Sequence, residues 1–92
     1  MNKAESTKVY VPNLGTHDYS DAERYGDLVY VTKGNVHRYA VPAMVRAWVK
    51  SLQDSEPDDY IMVTSMSHLC LVGGALFALK HEGKVNLLLF RN

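Results

Sequence analysis

Cysteine is nearly absent. The single thiol, Cys70, excludes an internal disulfide and any zinc site built on several cysteines. Neither sign of charge is in surplus, since ten basic residues balance ten acidic ones. Without net charge the chain exerts no bulk electrostatic pull on nucleic acid, and it is no acidic mimic of it. Long hydrophobic runs are missing as well. The longest, residues 69–79, is broken by Gly73 and Gly74, whereas a membrane span needs about 20 apolar residues. Residues 1–8 lack the apolar stretch of a secretory signal, and no lipidation signal is visible at either end. These absences predict a soluble protein of a reducing cytoplasm, with no membrane and no nucleic-acid partner.

What is present is a globular composition, 47% hydrophobic and 22% charged over 92 residues. That is one small domain, 1–92, with residues 1–7 as a flexible N-terminal segment. A chain this short buries only about 60–65% of its unfolded surface, which makes self-association a reasonable stabiliser.

Val9, Tyr10 and Val11 are β-formers, so residues 8–12 read as a strand ended by Pro12. Turn chemistry follows from Asn13 to His17. Ser20 with Glu23 three positions on forms a capping box for a short helix, which Gly26 stops. Leu28 to Val31 is a continuous apolar run, as in a strand covered on both faces. Val41, Met44, Val45, Trp48, Val49 and Leu52 recur along one helical stripe, with Pro42 in the first turn. Tyr60 to Val63 is a third strand. From about His68 to Glu82 the sequence is helical and apolar nearly all round, which predicts packing on more than one side. Ser67 is placed to cap that helix. Gly73 and Gly74 each cost roughly 1 kcal/mol against alanine in mid-helix, and predict close approach by another backbone. Residues 85–90 form a last apolar strand.

The alternation β-α-β-α-β-α-β defines an α/β fold: a small four-stranded parallel sheet in the order 2-1-3-4. Right-handed crossovers make it three-layered and Rossmann-like, with one short helix on one face and two longer helices on the other. Trp48 belongs in the helix–sheet core. One short helix cannot cover four strands, so the uncovered remainder is expected to meet a partner.

Open parallel sheets bind ligands outside the carboxyl ends of their strands, where strand order reverses. Here that point lies between the first and third strands. It gathers Asn13, Gly15, Thr16, His17 and Asp18 on one side and Ser65, Ser67 and His68 on the other, with Lys33 and Asn35 ending the neighbouring strand. The helix starting near Ser67 points its free N–H groups the same way, which suits an anionic small ligand such as a nucleotide. Sharper chemistry is missing. Neither phosphate-loop glycine pattern occurs. No two of the four histidines are spaced i, i+4, so no metal or other cofactor is expected. Ser67 and His68 are adjacent on a helix and point apart, which is wrong for hydrolysis. The acidic stretch 54–59 lacks calcium-loop spacing, and Cys70 reads as an inert buried thiol. Tyr19, Tyr25 and Tyr39 fall at or beyond the edges of the core elements, where tyrosine suits an interface. Lys33, Arg38, Arg46 and Lys50 are too few for a groove that holds single-stranded nucleic acid.

Residues 17–34 (HDYSDAERYGDLVYVTKG), together with Asp59-Tyr60-Ile61 through Ser65 and the closing Gly83-Lys84-Val85-Asn86-Leu87-Leu88-Leu89, resemble small Rossmann-like proteins encoded by tailed bacteriophages. The resemblance spans most of the chain. It implies a viral accessory protein expressed in bacterial cytoplasm, and it carries over no functional residues. The expected role is non-enzymatic protein–protein interaction, with a host or phage protein or as a homo-oligomer. The oligomer would use the thinly covered sheet face or the edge at residues 85–90. The alternative is a binder, or an enzyme, of an anionic ligand at the strand ends.

Overall fold

The apolar spacing builds the elements it predicts. A computed structural model describes residues 7–37, 40–64 and 66–90. In chain order it contains β1 (Lys8–Leu14), a short 3-10 helix (Ser20–Tyr25), β2 (Asp27–Lys33), and α1 (Val41–Ser51) running into a 3-10 turn (Leu52–Asp54). Then come β3 (Tyr60–Val63), α2 (Ser67–Lys80) and β4 (Asn86–Leu89). All pairings are parallel, in the order β2-β1-β3-β4. Val9 sits between Leu28 and Tyr60, and Ile61 lies opposite Leu87.

Side chains alternate between the faces of a strand, and the two faces have separate cores. Tyr10 and Ile61 turn toward α1 and α2, where they pack with Met44, Trp48, Leu52, Leu69 and Phe77. Val9, Val11 and Met62 turn the other way, onto Tyr19 and Ala22 beside the short helix. Trp48 is fully buried, and its Nε1–H donates to the Leu69 carbonyl at 2.9 Å. A Cβ on Gly73 would collide with that indole, so Gly73 makes room for a side chain rather than for the backbone expected of the glycine pair. Gly74 has open space beside it. Gly26 is required for a similar reason, because a Cβ there would lie 2.5 Å from the Thr7 carbonyl oxygen.

Several local expectations change. β1 continues past Pro12 to Leu14. Proline has no N–H for the ladder, and side chains supply the missing ties. The Thr32 hydroxyl donates to the Pro12 carbonyl at 2.7 Å, and the Asn13 amide donates to Thr32 Oγ1 at 2.9 Å and to the Gly34 carbonyl at 2.8 Å. The capping box of Ser20 and Glu23 does not form. The short helix is 3-10, and Asp18 Oδ1 instead accepts the Ser20 N–H at 2.9 Å. Ser67 is the first residue of α2 rather than its cap, and no described side chain caps that end.

The largest departure is α2 itself. Only Leu69, Gly73 and Phe77 are buried, while Leu71 is 75% exposed and Leu79 80%. Its all-round apolarity therefore does not reflect packing on several sides within one chain. Along α1 the stripe is likewise wider than the buried face: Met44 and Trp48 are covered, but Val41 and Val49 meet solvent.

Candidate functional site

The carboxyl ends of β1 and β2 do border an open crevice of about 740 Å³. Asn13, Thr16, Asn35, Val36 and Met66 line it, and none of these ionises. Asn13 is in place but committed, since its amide ties β1 to β2 as described. His17 and Asp18 do not line the crevice. The His17 ring stacks 5.2 Å from Phe90, on the short-helix side, and Asp18 is engaged with Ser20. The Ser20 N–H holds the Asp18 carboxyl below the ordinary carboxylate range. Lys33, Ser67 and His68 are exposed, and they do not line the crevice either. Ser65 lies outside the described residues, as do Arg38 and Tyr39. Of the residues that sequence order draws toward one strand end, Asn13, Gly15, Thr16 and Asn35 line the crevice, whereas His17 and Asp18 lie toward the short helix.

A serine and a histidine do meet, though not the adjacent pair. Ser55 Oγ lies 2.9 Å from His81 Nε2 across 26 positions of sequence. The serine is buried, and its hydroxyl already donates to the Leu52 carbonyl at 2.8 Å. Beside it the Lys80 ammonium donates to the carbonyls of Leu52 and Gln53. The His81 ring also stacks 4.5 Å from Phe77. The arrangement fastens the last turn of α2 to the end of α1, satisfying carbonyls that a helix leaves free. It gives His81 a structural partner beyond the helix dipole.

The acidic stretch is likewise structural. Asp59 is almost wholly buried and accepts the backbone N–H of Lys8 at 2.9 Å and of Glu56 at 2.8 Å. Asp58 pairs with Lys84 at 2.9 Å. Among the described residues no three His, Cys, Asp or Glu side chains are placed to hold a metal ion. Cys70 is half-buried, its sulfur 3.3 Å from the Thr64 N–H.

On the short-helix face a groove of about 400 Å³ separates that helix from β4. Tyr19, Tyr25, Met62 and Phe90 line it together with residues 87–89 of β4, and Asp18, Asp21 and Arg24 are at hand. Tyr19 is buried against Phe90, ring centroids 4.7 Å apart, so it is a core residue. Tyr25 is 41% exposed, with Arg24 stacked over its ring.

The opposite face carries the larger anomaly. β4 is an edge strand, and its side chains alternate between half-buried and exposed. Leu87 pairs with Ile61, so Leu87 and Leu89 stand on the side that bears α1 and α2. They are 53% and 70% exposed there. Sequence reasoning marked this edge but missed Leu71 and Leu79. The signal is the apolar character of α2 nearly all round, which one chain's own packing does not use up.

Fold and surfaces together define a small parallel α/β domain. Its polar side chains are spent on holding turns and helix ends, and its conspicuous surface is apolar. The chain belongs to the phage Pam3 gp32-like protein family, whose family model matches residues 5–92. No curated protein matches it. No solved structure matches it either. Among the described residues no helix is long and apolar enough to cross a membrane.

Proposed function

We propose that this phage-family protein is a non-enzymatic accessory module that works by binding another protein through its helix-bearing side. The observation that carries this reading is the exposure of four leucines there, Leu71, Leu79, Leu87 and Leu89. Together they leave in water nearly the equivalent of three whole leucine side chains. Covering them is worth on the order of 4–8 kcal/mol before the cost of association. Single surface leucines are ordinary, but a concentration of this kind marks an interaction surface. The strand-end crevice offers no comparable support for an anionic ligand, because its lining holds no cation and its one buried amide is already bonded.

The test is capture of interacting protein from phage-infected bacteria by tagged wild type and by a Leu71→Asp, Leu79→Asp double variant. The variant should keep its circular dichroism and melting temperature, since both residues are exposed, but lose what the wild type captures. Capture that survives the double substitution would refute the reading. A nucleotide that raises wild-type stability by about 2.7 kcal/mol at 100 times its Kd would move the function to the strand ends.

A further inference from the structure

Resting on the interaction reading, we infer that one occupant of the apolar side is a second copy of this chain, joined edge to edge at β4. The twofold axis stands normal to the sheet. It sets the two β4 strands antiparallel and makes one eight-stranded sheet. With Leu88 on the axis, Leu87 of one copy lies opposite Leu89 of the other.

Four features select this edge and this partner. First, residues 85–90 carry no charge, so β4 lacks the charged side chain that normally blocks edge pairing. The other edge strand, β2, begins at Asp27 and ends at Lys33. Lys84, the nearest cation before β4, is held by Asp58 at 2.9 Å.

Second, the spacing fits. α2 packs over β3 and β1 and leaves β4 uncovered. Across the proposed axis three to four strand intervals, about 14–19 Å in all, separate the two α2 helices. A helix with its side chains is about 10–12 Å across. The narrow trough that remains is floored by Leu87 and Leu89 of both copies and is filled by leucine-sized groups rather than by a further helix.

Third, there is apolar area to cover. The exposed parts of Leu87 and Leu89 in two copies contribute on the order of 300 Å² toward the total of about 1,000 Å² that a specific interface needs, and the paired strand edges with Val85 add to it. Fourth, the formal net charge is zero, so two copies approach without mutual repulsion.

Light scattering of the wild type at about 100 µM should give twice the 10.3 kDa of one chain. A Leu87→Glu, Leu89→Glu variant gathers four carboxylates at the axis and should run as a monomer with an unchanged far-ultraviolet spectrum. A Leu87→Lys, Leu89→Glu variant sets opposite charges across the axis and should remain dimeric, with affinity that falls as salt rises. A dimeric double-glutamate variant, or a monomeric lysine–glutamate variant, overturns the antiparallel pairing. A monomeric wild type whose capture of another protein still depends on Leu71 and Leu79 overturns this inference alone. A monomeric wild type that captures nothing overturns the interaction reading beneath it.

Discussion

The two glycines in the middle of α2 should respond in opposite senses to the same substitution. In a helix interior, glycine to alanine is worth about 1 kcal/mol of stabilisation from backbone propensity alone. At Gly74 nothing lies within 4 Å of the added methyl group, so Gly74→Ala should gain roughly that amount. At Gly73 the methyl group would enter the ring of Trp48. The indole is fully buried and anchored through its Nε1–H to Leu69, so it has nowhere to move. Overpacking costs about 1–3 kcal/mol, and an indole N–H pulled from its acceptor costs about 1–3 kcal/mol more. After the propensity gain, Gly73→Ala should lose about 1–5 kcal/mol. For a domain of this size each kcal/mol moves the melting temperature by about 4–8 °C. Thermal and urea unfolding followed by circular dichroism should therefore show one variant melting above the wild type and its neighbour well below. If both variants shift in the same direction, the packing of Trp48 against α2 is wrong.

Trp48→Ala should cost about 3–5 kcal/mol, a large fraction of the stability of a small domain, and urea midpoints would show it. Tyr10 is wholly buried, and its hydroxyl has no hydrogen-bond partner among the described residues; Tyr10→Phe should therefore stabilise by about 1 kcal/mol. Burial, then the charge of Asp59, pushes the ionisation of Tyr10 upward. Stability from this group is complete below about pH 10 and falls above it, because the unfolded chain releases the proton first; pH-dependent melts should show an alkaline loss that is smaller in Tyr10→Phe. Asp18 is shifted the other way by the Ser20 N–H, so its contribution is present above about pH 4 and is lost as pH falls through the lowered value. The stability difference between wild type and Asp18→Ala should accordingly vanish in strong acid.

Strand order and the division of helices between faces follow from alternation and crossover handedness, and both are legible in the sequence. So is the burial of Trp48, from the stripe that begins at Val41. What could not be read was how polar side chains would be used. Asn13 looks like a ligand contact in sequence, yet its amide ties the end of β1 to the end of β2. His17 and Asp18 follow β1 closely, but the chain has already turned toward Phe90 and Ser20. Ser55 and His81 meet only because two helices end side by side, a tertiary fact with no local signature. An apolar helix reads the same whether its outer face is covered within its own chain or outside it, so nothing local to the sequence marks Leu71 and Leu79 as exposed.

The parallel register has a consequence in time as well as in space. β1 finds one neighbour, β2, soon after it along the chain, but Val9 meets Tyr60 only across more than half the sequence. Every pairing in the sheet requires closure of a loop before any bond rewards it, and topologies of that kind fold slowly for their size. While β3 is still unplaced, the leucine-rich β4 has nothing to lie against, and its strand edge is open on both sides. Encounters between incomplete chains through that segment then compete with completion of the sheet. Expression yield should therefore respond to temperature and synthesis rate more steeply than the stability of the finished domain alone would dictate.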